Sequence, residues 1–317
     1  MNIKTQKHKN NILKRCIAIL LTVLMVMPFC TACGASPSNS GKLNIVATIF
    51  PQYDFARAIA GELADITMLL SPGAETHSYE PTPKDIKNIE NCDIFIYVGG
   101  ESDSWIDGIL DSIDTSKIKI ISLMNIVEPL EEEHDGEASH EHEYDEHVWT
   151  SPVNAAAICR EIASAMCAAD EKNSEVYNKN CADYVEKIMR LDESFHDIVA
   201  SATRKTVIFG DRFPLLYFVR EYGIEYKAAY PGCSSSTEPS PAVIAELIDT
   251  VKKENIPVVF KIELSNGNIA DTISEATGAK VKIFYSCHNI SKDDFNNGET
   301  YLSLMAKNID SLKEALN

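Results

Sequence analysis

Short runs of apolar and branched residues alternate along most of the chain with stretches whose apolar positions recur every three or four residues. The run at 93–98, Ile-Phe-Ile-Tyr-Val after Asp93, is unbroken, as in a strand buried on both faces of a parallel sheet. Similar runs at 43–48, 64–70 and 117–122 predict strands, with helices at 54–61, 83–91 and 105–110 between them. The same alternation returns further on. Strands are predicted at 205–209, 226–230, 257–262 and 281–285, and helices at 214–222, 241–254, 268–277 and 300–316. Strands alternating with helices imply right-handed βαβ crossovers and parallel sheets, so the fold class is α/β. Two helices, 155–167 and 174–200, separate the halves. The second carries a stripe that includes Tyr177, Tyr184, Ile188, Leu191 and Phe195. At ~1.5 Å per residue it is about 40 Å long, enough to run along two lobes.

Two places in this pattern carry chemistry. Ser71, Pro72 and Gly73 end the strand at 64–70, and His77 follows in a loop. Thr82 is a good N-cap, with Pro83 at the first helical position and Asp85 in the first turn. An imidazole is thus delivered beyond the carboxyl end of a strand, where open α/β sheets bind ligands. His147 is placed alike, just ahead of a helix start with Ser151 as N-cap and Pro152 after it. Between them, 128–146 is a low-complexity acidic stretch interleaved with His134, His140 and His142. It is too polar to build a core and suits transient capture of divalent metal.

The first residues do not belong to the fold. A basic segment precedes the apolar run 16–29, which is too short for a comfortable membrane span. Small residues then precede Cys33, as in a bacterial lipoprotein cleavage box with Cys33 lipidated. The expected organisation is a signal peptide at 1–33, a tether at 34–42, a first lobe at 43–168 containing the acidic loop, a linking helix at 169–203 and a second lobe at 204–317. Lipid on Cys33 would hold the domain at the outer face of the cell membrane.

A formal net charge of −18 argues against a nucleic-acid partner and is compatible with a cation. Past Cys33 there is no C-x-x-C pair, which argues against a thiolate zinc cluster. Cys233 and Cys287 both follow second-lobe strands. A disulfide between them, free thiols and thiolate ligands all remain open.

Pro72, His77, Glu80-Pro-Thr-Pro83 and Asp85, then Gly99 and Trp105, the acidic histidine loop, and His147-Val-Trp149 with Pro152 and Asn154 form one series. Over the chain after the tether, this series resembles the TroA/ZnuA-like metal-binding receptors of zinc and manganese ABC importers. The resemblance implies two α/β lobes bridged by one long helix, with the metal in the crevice between them. It also implies a monomer that passes its ion to a membrane permease. The third ligand implied by the resemblance follows the first strand of the second lobe, where Gly210 stands. Asp211 beside it could lend a carboxylate, or be a structural acid paired with Arg212. The implied fourth ligand follows the last strand, where His288 could replace the missing imidazole, with Glu263 as a pocket acid. Three imidazoles and a carboxylate suit zinc; an oxygen-rich set would suit manganese. The expected function is high-affinity zinc reception, with a manganese receptor, a surface adhesin and a metal-dependent hydrolase as alternatives. The hydrolase would use His77, His147 and an acid, but the chain has neither an H-E-x-x-H helix nor a nucleophile elbow.

Overall fold

The apolar runs of the first half become four parallel strands, β1 (Leu43–Ala47), β2 (Ala64–Met68), β3 (Ile94–Tyr97) and β4 (Lys119–Ser122), in the order β2-β1-β3-β4. This computed structural model describes residues 41–74, 79–132, 144–230, 232 and 238–317. The predicted signal peptide, Cys33, His77, His134, His140, His142 and Cys233 lie outside the described residues. Between the strands run α1 (Phe50–Ala60), α2 (Pro83–Glu90) and α3 (Trp105–Leu110). The Thr82 cap forms as expected: its hydroxyl accepts from Asp85 N, and Asp85 returns the bond to Thr82 N at 2.8 Å. Helix α1 begins at Phe50 rather than at 54. The Gln52 side chain accepts the Ile49 N–H at 2.8 Å and closes a turn that has no small polar N-cap.

The connecting helices are α4 (Pro152–Ala169) and α5 (Ser174–Ala200). Helix α4 starts at Pro152, as the Ser151–Pro152 pair predicts and three residues ahead of the pattern at 155–167, because Ser151 Oγ accepts from Asn154 N. The second sheet repeats the first. Strands β5 (Thr206–Phe209), β6 (Glu225–Ala228), β7 (Val258–Ile262) and β8 (Lys280–Phe284) pair in the order β6-β5-β7-β8, all parallel. Its helices are α6 (Leu216–Tyr222), α7 (Pro241–Glu254), α8 (Asn268–Thr277), α9 (Lys292–Asn296) and α10 (Tyr301–Leu316). The short α9 was not foreseen; Ser291 caps it, accepting from Asp294 N at 3.0 Å. In each sheet the order reverses between its first and third strands in sequence, β1 and β3 or β5 and β7. The loops leaving their carboxyl ends therefore diverge and open a crevice. No helix among the described residues is long and apolar enough to cross a membrane.

The stripe on α5 is core, and the core is continuous through both lobes. Phe195 meets Phe218 edge-on at 4.9 Å between centroids, and Phe55 meets Tyr301 likewise at 4.9 Å. One buried carboxylate sits at this junction. Asp54 on α1 accepts from the Tyr184 hydroxyl of α5 at 2.8 Å and from the Tyr301 N–H of α10 at 2.9 Å, and pairs with Arg57. It joins the first lobe to the long helix and to the positive end of the last helix.

Removing that carboxylate leaves a buried hydroxyl and a buried N–H without their acceptor. Asp54→Ala is expected to cost about 3 kcal/mol in urea unfolding, and Asp54→Asn, which keeps one acceptor, clearly less. Equal stabilities for wild type and Asp54→Ala would show that the junction does not depend on this residue.

Candidate metal centre

His147 is held before its side chain is considered. The turn at Val148–Thr150 follows it directly, and its N–H is bonded to Asp145 Oδ1 at 2.8 Å. The same oxygen lies 3.2 Å from His147 Nδ1. Donation from Nδ1–H to that carboxylate leaves the lone pair on Nε2, the arrangement that orients metal-binding histidines. The ring is buried, and Nε2 faces His288 Nδ1 at 3.2 Å, with the two rings 84° apart. Two nitrogens on one tetrahedral zinc, each bonded at about 2.0–2.1 Å, lie about 3.3–3.4 Å from each other.

His288 arrives from the other lobe on a tightly held loop. Ser286 N and Oγ both donate to Glu263, at 2.8 and 2.7 Å, and Ser286 O accepts from Trp149 Nε1 at 2.9 Å. Trp149 is wholly buried and packs beside both imidazole rings. Cys287 between Ser286 and His288 has φ +59°, a region that residues with a side chain seldom adopt. Asn289 Nδ2 donates to Ala74 O at 2.6 Å, and Gly73 N donates to Ile290 O at 2.8 Å. The loop carrying His288 thus also grips the turn upstream of His77.

Of the disulfide, free thiols and thiolate ligands left open for Cys233 and Cys287, only the Cys287 side lies among the described residues. Cys287 is a free thiol, buried within the second lobe, and burial pushes its pKa well up, which disfavours a thiolate. The carboxylates of Glu263 and Asp211 border the same cavity as His288. Glu263 faces Ser286, and burial raises its pKa against those hydrogen bonds. Asp211 accepts from the backbone N–H groups of Ile262 and Arg212, at 3.1 and 2.9 Å. Both acids are therefore directed at their own lobe's backbone. Among the described residues no three His, Cys, Asp or Glu side chains converge on one point; His147 and His288 do as a pair.

Gly210 has a packing reason. A Cβ there would lie 2.5 Å from Ala270 Cα and 2.6 Å from Ala270 N, inside the first turn of α8. Backbone runs against backbone, which only glycine permits. On the first-lobe side, burial pushes the Asp103 carboxyl up to about 6, with the Glu146 charge adding to it. Asp103 accepts from Val98 N and Gly99 N, and Glu146 accepts from Ser102 N. The ends of the acidic loop are closed next to His147. Glu131 bridges Tyr144, and the Tyr217 hydroxyl accepts from Leu130 N and donates to Asp145 O, both at 3.0 Å. The sequence shows Trp149 only within the His147-Val-Trp149 series and Asp145 only as one acid of the 128–146 stretch, and it marks Asn289 with no signal.

Residues 45–315 match the family described as zinc-uptake complex component A, periplasmic. The zinc-binding lipoprotein AdcA of Streptococcus pneumoniae is 34% identical over 305 residues, covering 94% of this chain and 60% of its own length. The chain therefore spans little more than half of that relative. The high-affinity zinc uptake system protein ZnuA of Bacillus subtilis is 33% identical, over 89% of this chain and 90% of its own. Among solved structures, the Zn(II)-bound ZnuA-like domain of S. pneumoniae AdcA aligns with TM-score 0.72 and 32% identity. That alignment covers 87% of this chain and 99% of that one. The metal-dependent lipoprotein YcdH of B. subtilis aligns with TM-score 0.76 and 29% identity, over 87% and 99%.

Because α8 occupies the space beside Gly210, adding a side chain there cannot restore a ligand. Gly210→Ala is expected to cost about 1–3 kcal/mol by overpacking, and Gly210→His to lower metal affinity rather than raise it. Thermal unfolding and metal titration of the two variants check this, and a tighter-binding Gly210→His would contradict it.

Proposed function

The chain belongs to the zinc-uptake complex component A family, and we propose that it is an extracytoplasmic receptor that binds zinc in the crevice and delivers it to an ABC importer permease. The zinc is cargo. His77, His147 and His288 are the proposed ligands, and the 3.2 Å approach of His147 Nε2 to His288 Nδ1 carries the reading. One nitrogen comes from each lobe, so a bound ion would hold the lobes together, and release would need them to part. Asp145 fixes the tautomer of His147, and Glu263 positions the His288 loop. The acidic loop, with His134, His140 and His142, would gather ions weakly beside the site. A lipid on Cys33 would keep a monomer at the outer face of the membrane, within reach of the permease.

Zinc titration against a competing chelator tests the assignment. Removal of an outer-shell partner commonly costs about 10–100-fold in affinity, so Asp145→Asn should fall in that range, and His147→Ala and His288→Ala should exceed about 100-fold. Wild-type affinity in either histidine variant would reject the site.

The loop has its own test. Its ends are tied at Leu130 and Asp145, so deleting 133–143 should leave the fold intact and keep one tight zinc while removing weaker ones. Isothermal titration counts both classes, and loss of the tight site would move the ligands into the loop.

A further inference from the structure

Leu130 and Asp145 stand opposite each other, one step below the antiparallel Glu131–Tyr144 bridge. Residues facing each other in such a pair can exchange two backbone bonds. One runs directly here, from Asp145 N to Leu130 O at 2.9 Å. The other path passes through a side chain. The Tyr217 hydroxyl accepts from Leu130 N and donates to Asp145 O, both at 3.0 Å. A phenol from α6 of the second lobe is thus spliced into a backbone ladder at the base of the acidic stretch. A hydroxyl can do this because it donates and accepts at once.

The phenol is firmly based. Tyr217 is buried, and its neighbour Phe218 meets Phe195 of α5 edge-on at 4.9 Å. Tyr222, at the end of the same helix, donates to the buried Asp192 at 2.8 Å. One turn on from Tyr217, on the same helix face, Glu221 accepts from Ser151 Oγ at 3.1 Å. The two bonds from α6 bracket His147, at Asp145 before it and at Ser151 after it. Asp145 is the link to the imidazole. Its N–H and carbonyl are committed to the ladder, and its Oδ1 takes the His147 N–H at 2.8 Å and lies 3.2 Å from Nδ1.

We propose that Tyr217 is a positioning residue for the metal centre. Its hydroxyl sets the separation of Leu130 and Asp145, and through the Asp145 carboxylate it fixes the Nδ1–H tautomer of His147 and the aim of Nε2. Without the hydroxyl, Leu130 N and Asp145 O must close on each other directly or pair with water. Either change releases Asp145 from its present place. The pose of His147 is thereby tied to the packing of a second-lobe helix. This inference rests on the zinc-receptor reading.

Tyr217→Phe removes the hydroxyl and keeps the ring. Zinc titration of the purified full-length chain against a competing chelator is expected to show the tight site weakened about tenfold, the lower end of the range for outer-shell partners. Asp145→Ala breaks the route, so in that background Tyr217→Phe should change affinity by less than about twofold. Proton–nitrogen correlation NMR of the histidine-labelled chain, with His147→Ala assigning the resonance, gives a second readout. His147 is expected as the Nδ1–H tautomer in wild type and as a mixture of tautomers in Tyr217→Phe, a change that loss of packing alone would not produce. Wild-type affinity or an unchanged tautomer in Tyr217→Phe overturns this inference and leaves the receptor reading standing. A tenfold loss that persists undiminished beside Asp145→Ala overturns it too, because the hydroxyl would then act by another route. A wild-type chain that binds no zinc overturns both readings.

Discussion

The crevice depends on how Ser286 is held. Its N–H and hydroxyl are bonded to Glu263 at the end of β7, and its carbonyl is bonded to the Trp149 indole of the opposite lobe. Every polar group of one buried residue is thereby committed, and two lobes are registered through it. The backbone on either side has little freedom. Cys287 takes a left-handed conformation, which returns the chain toward the crevice, and His288 and Asn289 reach the first lobe. Strain of this kind persists only where the surroundings over-determine it. Glu263 and Trp149, neither of them a proposed ligand, are what over-determine it here.

Behind the crevice the lobes share one core around α5. Asp54 adds a polar tie where apolar packing alone would leave orientation loose, because its bonds to Tyr184 and Tyr301 have direction. The two ties differ in kind. The Asp54 tie joins helices, whereas the Ser286 and Asn289 contacts join loops, and all of them are buried.

Gly210 shows how one packing decision redirects chemistry. Once the first turn of α8 lies against β5's end, no side chain fits there, and donors must come from elsewhere around the crevice. His288 meets His147 from the last strand's loop instead. Asp211, the next residue, turns inward to cap Ile262 N and Arg212 N. A carboxylate bordering the crevice can thus serve the backbone that shapes it.

Much of the architecture was legible in the residues. Apolar runs with helical stretches between them gave parallel sheets, and the caps at Thr82 and Ser151 and the span of the long helix were readable because capping and periodicity act within a few residues. The placement of His147 ahead of a helix followed from the same local signals. Other features were not local. The start of α1 depended on a glutamine standing in for the usual cap, and the free state of Cys287 on the burial of its loop. The meeting of His147 and His288 joins residues 141 positions apart. The roles of Asp211 and Glu263 turned on which backbone N–H groups lay nearest once two sheets had packed around one helix. Short-range propensity determines the elements and their order; where the loops point, and so which nitrogen faces which, is decided only when buried polar groups across the chain find their partners.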